Sequence, residues 1–245
     1  MLQSATIQDG GPDKKTNRYT RLLGYRYDIN SLHTLKPSLT AEYVVALPMG
    51  SKKTRASSEL HIVGDGTFLV LARDGNGFGD TDSDSTYKNA ALFNIKNATN
   101  IAGSKYDDPA NPVAPGGKLV SDVTAAPVSD FVDLVDSTQL AKFGLHTGGA
   151  IDQQLVASKL ESLALASLGD RQRPDDYFLF VVSDNDFITT KGKQAGQQNG
   201  TGEYKLSSYS DSYAEKYGSQ DTQAFVYHVT LGDGVYQQPG FLGPN

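Results

Sequence analysis

The densest group of side chains that could carry chemistry is the acidic, glycine-rich stretch from Asp74 to Asp84. Oxygen-bearing side chains at alternating positions of a loop can turn inward around one hard cation, and Ca²⁺ takes about six to eight oxygen ligands. An EF-hand is excluded, because such a loop needs glycine where Ser85 stands and glutamate where Ala91 stands. The stretch therefore predicts a calcium loop of another kind or, alternatively, a solvated acidic loop. The predicted metal ligands are Asp74, Asn76, Asp80, Asp82 and Asp84.

A second oxygen-rich cluster follows an apolar run later in the chain. Asp184 and Asp186 stand on either side of Asn185 and complete the set of predicted metal ligands. Carboxylates that share a site either coordinate a cation together or divide protons between them. With Glu161, this cluster could therefore bind calcium or form a carboxylate pair.

Each cluster ends one copy of a weak internal repeat. The first copy runs from Glu59 to Asn76 and the second from Glu161 to Asp186. Each consists of a glutamate, an apolar strand, a turn, a second apolar strand and an Asp/Asn cluster. Antiparallel pairing brings the start of one strand beside the end of its partner. We therefore expect each glutamate to lie near its own cluster at one end of a sheet, where Glu59 and Glu161 are candidate bases or metal ligands.

An anionic substrate at this end of the sheet would need basic side chains. Arg55 and Arg73 each stand beside a motif glutamate or aspartate and are the predicted substrate-binding residues, and Arg73 is also a candidate catalytic residue. The alternative is that Arg73 pairs with Glu59 and only holds the hairpin end. His61 lies two residues after Glu59 and would share its face of the strand, so it is the histidine that we consider for acid–base catalysis. The sequence contains no HExxH zinc motif and no Gly-x-Ser-x-Gly nucleophile elbow.

The elements that must position these residues are mainly strands. Short apolar runs separated by Gly- and Asp-rich turns predict an all-β fold with a few short helices in loops. Gly64-Asp65-Gly66 is a hairpin-turn signal, a capped helix is predicted at Asp136 to Phe143, and Asp152 to Lys159 is a second helix candidate. Gly103 to Pro127 and Lys191 to Glu203 are predicted to be irregular. The predicted strands are Arg18 to Asp28, Glu42 to Leu47, Leu60 to Val63, Thr67 to Ala72, Ala90 to Ile95, Leu163 to Leu168, Tyr177 to Val182 and Phe225 to Leu231.

Composition excludes several classes of protein. The 28 acidic residues outnumber the 22 basic ones, for a net charge of −6 over 245 residues, which argues against a nucleic-acid partner. No apolar run approaches the ~20 residues that span a bilayer. The absence of cysteine excludes disulfides, thiolate nucleophiles and zinc–thiolate sites. Asn97 and Asn199 open N-x-Thr sequons and are predicted glycosylation sites.

Five motifs along the chain match the pattern of one family. They are Glu161-Ser162-Leu163-Ala164-Leu165, Asp175 to Phe187, Ser58 to His61 with Arg55 before it, Arg73 to Gly77, and Tyr106 to Pro112. The first resembles the Glu-Gly-Leu-Ala-Leu signature of the phytase-like β-propeller family, also called esterase-like activity of phytase. The others resemble segments of its fungal secreted branch. Ser162 stands where the signature has glycine, which keeps a small residue there. The resemblance extends from about Gln3 to Leu231.

The resemblance implies a β-propeller and a secreted protein. Family members are longer, so the chain is identified as the C-terminal portion, in which residues 1–235 would form the partial propeller and residues 236–245 a flexible tail. The missing N-terminal half, or self-association, would cover the exposed sheet edges. The implied activity is metal-assisted hydrolysis of phosphate or other anionic esters, with a small anionic ester as substrate and calcium as the bridging ion. The alternative is a non-enzymatic, calcium-stabilised propeller that acts in binding or extracellular assembly.

Overall fold

The structure, a computed structural model, describes residues 1–13, 15–29, 35–50, 53–64, 66–198 and 200–232. Within these ranges the fold is mostly β, with short helices in the connections between strands. The apolar runs of the sequence account for this fold class, because each run is long enough for a strand and too short for a core helix.

A four-stranded antiparallel meander forms the centre of the fold. It consists of β3 (Ala56–Gly64), β4 (Thr67–Arg73), β5 (Lys88–Asn94) and β6 (Ala126–Asp133), each paired with the next. In β4, Leu69 and Leu71 join one buried cluster, whereas Phe68 and Val70 join another. Successive side chains of a strand point to opposite faces, so the meander is apolar on both faces and both must be covered.

A long hairpin extends the meander into a six-stranded sheet. β1 (Tyr19–Ile29) pairs with β2 (Leu35–Ala46), which meets β6 in a short parallel contact, giving the order β1-β2-β6-β5-β4-β3. The chain near its start bridges the two outer strands, because Leu2 N donates to Arg21 O (2.9 Å) and Ser57 N donates to Gln3 O (2.9 Å). The sheet therefore curls back on itself. Its inner face holds the buried residues Leu22, Val45, Val70, Ala91, Phe93 and Ala126.

A second sheet packs on the outer face of the first. Its strands β7 (Leu160–Ser167), β8 (Asp176–Ser183) and β11 (Ala224–Thr230) are antiparallel, in the order β11-β8-β7. The cluster between the sheets joins Leu69 and Leu71 to Leu163, Leu179 and Val229. This contact fixes the first repeat copy, β3–β4, beside the second, β7–β8.

The remaining elements connect these sheets. β9 (Gly192–Gln198) and β10 (Tyr204–Tyr209) form a separate hairpin. Helix α1 (Ser137–Ala141) begins at the N-cap Asp136, whose Oδ1 accepts from Gln139 N at 2.8 Å. Helix α2 (Ser212–Tyr217) is capped in the same way by Asp211.

Two predictions about secondary structure are wrong. Asp152 to Lys159 is not a helix, because the Asp152 carboxylate accepts from Gln154 N (2.9 Å) in a turn, and a side chain that bonds its own backbone competes with a helix. Lys191 to Glu203 is not wholly irregular, because it contains β9. The predicted strands of both repeat copies are confirmed as the pairs β3–β4 and β7–β8, although Asp65 of the first turn lies outside the described residues.

The closed architecture stays a prediction. Strand pairing over the described ranges gives three sheets, and no ring of sheets is formed by them. Residues 236–245, the predicted tail, lie outside the described part of the chain. In that described part, the longest helices are too short to cross a membrane.

Candidate functional site

An open cavity of about 470 Å³ lies where β3 of the first sheet meets β7 of the second. Glu59 and Glu161 both line it, together with Ser57, Ser58 and Leu60 and residues 1 and 3. Ser58 holds the two strands together, because its Oγ donates to Leu160 O at 3.0 Å. The structure therefore brings the glutamates of the two repeat copies to one cavity, although they lie about a hundred residues apart in the sequence.

Arg73 fastens the first sheet to the second beside this cavity. Its Nε donates to Leu160 O (3.0 Å), its Nη1 donates to Asp74 O (3.1 Å), and its Nη2 donates to the Glu161 carboxylate. The Arg73 side chain is 10% exposed and that of Glu161 is 33% exposed, so this ion pair is only partly shielded from water. The alternative in which Arg73 pairs with Glu59 is thus replaced by a pair between the two repeat copies. The Glu59 carboxylate accepts from Leu60 N at 2.7 Å.

Lys159 links the second acidic cluster to Glu161. Its Nζ lies 3.3 Å from Asp186 Oδ2 and 3.9 Å from Glu161 Oε1. The antiparallel pairing predicts this proximity, because Asp184 N donates to Lys159 O (2.8 Å) just beyond the end of β8. Asp184 Oδ1 in turn accepts from Asp186 N at 3.0 Å. The second copy therefore has its glutamate and its cluster at one end, as expected, with a lysine between them.

The first cluster begins with a buried ion pair that the sequence analysis did not identify. Lys88 is fully buried, and its Nζ donates to Asp74 Oδ1 (3.2 Å), Asn76 O (2.8 Å) and Ser158 O (3.2 Å). Burial lowers the pKa of Lys88 to about 8, although Asp74 opposes the shift. Burial alone would raise the pKa of Asp74, but the Lys88 charge and several hydrogen bonds outweigh it and hold the pKa below its usual value. The other donors to the Asp74 carboxylate are Ser85 Oγ, Thr86 N, Tyr87 N and, at longer distances, Asn76 N and Thr86 Oγ1.

The rest of the first cluster forms a chain of side-chain-capped turns. Asp80 Oδ1 accepts from Asp82 N (2.9 Å), and Asp82 Oδ1 accepts from Asp84 N (3.0 Å). Asn76 Nδ2 donates to Asp82 Oδ2 (2.9 Å) and to Asp84 O (2.8 Å). Over the ranges that the structure describes, no group of three or more acidic or histidine side chains is arranged to hold a metal ion. Asp74 is committed to Lys88, and calcium binding by the other predicted ligands stays a prediction.

Among the described residues, Arg55, His61 and Asn97 do not line the cavity. Arg55 is beside Asp74: its Nη2 donates to Thr86 Oγ1 (3.2 Å), and its Nη1 lies 4.0 Å from Asp74 Oδ2. His61 follows Glu59 on β3, and burial lowers the pKa of His61 while Glu59 opposes the shift. Asn97 is exposed in a turn after β5, and Asn199 lies outside the described residues.

Lys88 and Lys159 are the residues of these networks that sequence reasoning missed. Lys88 did leave a signal, because Lys88, Ala90 and Leu92 share one face of β5, and that face packs toward the second sheet. A lysine at a core-facing position needs a buried partner. For Lys159 no comparable signal exists, because it is a half-exposed residue that only precedes the motif glutamate.

Comparisons with known proteins give one family and one curated relative. The family model described as "Phytase-like: Esterase-like activity of phytase" matches residues 1–187. A protein from Arthroderma benhamiae named "Uncharacterized secreted protein" is 35% identical over 210 residues, which cover 78% of this chain and 40% of the relative. The chain thus spans about two fifths of the length of that relative. No solved structure matches.

Proposed function

We propose, from the fact that this chain belongs to the phytase-like family named for the esterase-like activity of phytase, that it is part of a secreted hydrolase of phosphate or other anionic esters. The observation that carries the proposal is the meeting of Glu59 and Glu161 at one open cavity, with Arg73 and Lys159 beside it. Carboxylates and cations that converge on a cleft are the groups that ester hydrolysis needs.

Glu59 is the better candidate for the general base. Glu161 is engaged by Arg73, whereas Glu59 faces the same cavity with its Oε1 held only by the neighbouring Leu60 N–H among the described contacts. In the proposed reaction, Glu59 takes a proton from water, and the water oxygen attacks the phosphorus or carbonyl carbon. The ester bond to the alcohol oxygen then breaks, and the proton passes to the leaving alcohol. His61, on the same strand, is kept as a second acid–base candidate.

Arg73 and Lys159 would bind the anionic group, with Glu161 as the positioning residue for Arg73. The site carries three carboxylates, from Glu59, Glu161 and Asp186, against these two cations. An additional cation would therefore favour the binding of an anionic ester. We propose separately that calcium supplies this charge when the substrate is bound. The proposed hydrolysis by Glu59 does not depend on calcium. Calorimetric titration of Ca²⁺ into the full-length protein, with and without inorganic phosphate, tests the proposal, and an absence of heat in both arms would sink it.

Turnover tests the hydrolase directly. Purified full-length protein would be assayed with phytate, p-nitrophenyl phosphate and p-nitrophenyl acetate. We expect Glu59→Gln to lower kcat/KM by about 100-fold or more, because a positioned general base contributes that much. Glu161→Gln should mainly raise KM, because it frees Arg73 from its position.

The control for this assay is Glu215→Gln on α2, where the carboxylate accepts only from Ser210 Oγ in the described contacts and lies outside the cavity. This variant should keep full activity. Failure of the wild-type protein to turn over any of the three esters would contradict the hydrolase proposal.

A second candidate function is non-enzymatic binding or extracellular assembly. It is favoured by Arg73, all of whose described hydrogen bonds go to the two sheets and fasten one to the other. On this alternative the Glu161 ion pair is structural. Glu161→Gln would then lower the free energy of unfolding without any activity to lose, and calcium would raise the melting temperature without turnover.

A further inference from the structure

The buried Lys88 lies between the two basic residues that bind the anionic group in the proposed reaction. Its Nζ donates to Asp74 Oδ1 (3.2 Å) and to Ser158 O (3.2 Å). Asp74 directly follows Arg73, which is also the residue opposite Lys88 in the pairing of β4 with β5. Ser158 directly precedes Lys159. One ammonium group therefore joins the chain beside Arg73 to the chain beside Lys159.

Arg73 and Lys159 converge on one oxygen atom of Glu161. Arg73 Nη2 donates to Glu161 Oε1, and Lys159 Nζ lies 3.9 Å from the same oxygen. Two cations that approach one carboxylate oxygen can also approach one oxygen of an anionic ligand, as long as the distance between them is kept. Binding of an anionic group at this place therefore depends on what holds Arg73 and Lys159 at a constant distance.

The position of Lys159 depends on the irregular segment before it, because Lys159 lies just outside β7. That segment, Leu155 to Ser158, is almost completely buried. The first acidic loop holds it through Phe78, whose N–H donates to Val156 O (2.9 Å) and whose carbonyl oxygen accepts from Ser158 N (2.8 Å). The first acidic loop therefore supports the part of the chain that carries Lys159.

Lys88 fixes the first acidic loop against this segment. It is fully buried, and its third acceptor is Asn76 O at 2.8 Å. A protonated lysine has three N–H donors and no acceptor, so the three oxygens use its whole hydrogen-bonding capacity. Buried, charge-assisted hydrogen bonds are costly to leave unmade, and the three oxygens are therefore held in place. Two of them belong to the first acidic loop, and the third belongs to Ser158.

We infer that Lys88 is the positioning residue that sets the distance between Arg73 and Lys159, and with it the affinity of the site for the anionic group of an ester. The inference rests on the proposed hydrolase site. Lys88 does not line the cavity, so it acts only through the two cations. Removal of its ammonium group should therefore weaken the binding of an anion and leave the steps that involve Glu59 unchanged.

Kinetics with two substrates of different charge separate this role from a general loss of stability. The full-length protein and its Lys88→Met variant would be assayed with p-nitrophenyl phosphate, which is anionic, and with p-nitrophenyl acetate, which is neutral. We expect Lys88→Met to raise KM for the phosphate ester about tenfold, and to leave kcat/KM for the acetate ester within about twofold of the wild-type value. A smaller folded fraction would instead lower the rates with both esters by the same factor.

Ile101→Ala is the matched control for loss of stability, because Ile101 is buried in an apolar cluster with Val44 and Val113 and does not line the cavity. We expect it to keep the wild-type KM for both esters. If Lys88→Met does not fold, the double variant Lys88→Met with Asp74→Asn takes its place, because it removes both charges of the buried pair. The same tenfold increase in KM for the phosphate ester is expected of it.

Calorimetric titration of inorganic phosphate distinguishes failure of this inference from failure of the proposed hydrolysis. We expect Lys88→Met to weaken phosphate binding about tenfold relative to wild type. An unchanged phosphate affinity, or an equal rise in KM for Ile101→Ala, would overturn the inference and leave the hydrolase standing. Phosphate binding that depends on Lys88, without turnover of any ester, would support the inference and contradict the hydrolase. A wild-type protein that neither binds phosphate nor hydrolyses an ester would overturn both.

Discussion

The two copies of the repeat share one pattern but differ in what surrounds their acidic ends. In the first copy, Asp74 is buried and accepts from Lys88 and from neighbouring backbone N–H groups. In the second, Asp184 and Asp186 are exposed, and their closest cation is the half-exposed Lys159. The pattern sets where the carboxylates lie on a hairpin, whereas the neighbouring strand decides whether a carboxylate becomes part of the core or stays available to a ligand.

The neighbouring strands explain this difference. Arg73, at the end of β4, lies directly opposite Lys88 of β5, so two cations meet at the start of the first cluster. In the second copy, the strand beside β8 is β11. Ser183, at the end of β8, accepts a hydrogen bond from Gln223 N and does not face a charged group there. The first cluster is therefore a structural junction, and the second is the better place to look for binding.

The largest expected effect would test whether the first cluster is structural. Asp74→Ala leaves Lys88 buried without its counter-ion, and breaking a buried pair in this way costs about 3–5 kcal/mol. The same change in the second cluster, Asp184→Ala, should cost about 1 kcal/mol or less, because it removes one exposed turn hydrogen bond. Urea unfolding of both variants measures the contrast. Equal losses would break the comparison between the two copies.

The pH dependence of stability should show the same junction. The pKa of Lys88 is lowered from 10.5 to about 8 in the folded protein, so between these values the unfolded chain binds more protons than the folded one. The contribution of Lys88 to stability must therefore rise as the pH rises from about 8 to 10.5. We expect the free energy of unfolding of wild type, minus that of Lys88→Met, to increase over this window.

Urea unfolding at several pH values measures this difference, and the subtraction removes tyrosine titrations common to both proteins. Unfolding at acidic pH provides a second test of the same ion pair, through Asp74. The pKa of Asp74 is held below 3.8, so the stability that its carboxylate supplies is present above that pH and is lost as the pH falls through the folded pKa. A flat difference between pH 8 and 10.5 would mean that Lys88 is solvated when folded.

Local signals predicted most of the fold. The apolar runs of β1, β4, β5, β8 and β11 are continuous or alternate strictly, and burial on one or both faces produces those patterns. The Asp136 cap predicted α1 because a side chain that satisfies a helix N–H acts locally. β6, β9 and β10 were missed. The buried residues of β6 do not alternate strictly, and β9 and β10 are held by backbone hydrogen bonds between mostly exposed, polar residues, which leave no hydrophobic period.

The sequence predicted contacts within one hairpin of the candidate site, but it did not predict contacts between the two hairpins. Antiparallel pairing correctly placed Glu161 near Asp186, because that relation is internal to one hairpin. The pair between Arg73 and Glu161 depends on how the two hairpins pack, which no local spacing encodes. The same holds for Lys88, whose three partners come from two loops separated by about eighty residues.

The smallest predicted effect concerns the backbone of the two acidic loops. The first loop places glycine at its left-handed positions, Gly77 (φ 123°) and Gly79 (φ 101°), whereas the second places Asp186 (φ 49°) and Phe187 (φ 54°) there. A residue other than glycine or asparagine in this region costs about 1 kcal/mol or more, and Phe187 recovers little by burial because it is 80% exposed. Phe187→Asn should therefore raise the free energy of unfolding by about 0.5–1 kcal/mol.

The matched control is Phe143→Asn. Phe143 is as exposed as Phe187, at 79%, but it is not among the described non-glycine residues with positive φ. Urea unfolding of both variants separates relief of backbone strain from the removal of an exposed ring. A gain at both positions would assign the effect to the ring. A gain in stability only at Phe187 would mean that the second loop keeps a strained aromatic residue beside Lys159 and Glu161, whereas the first loop uses glycine. Backbone strain of this kind is expected where a loop is selected for contact with a ligand.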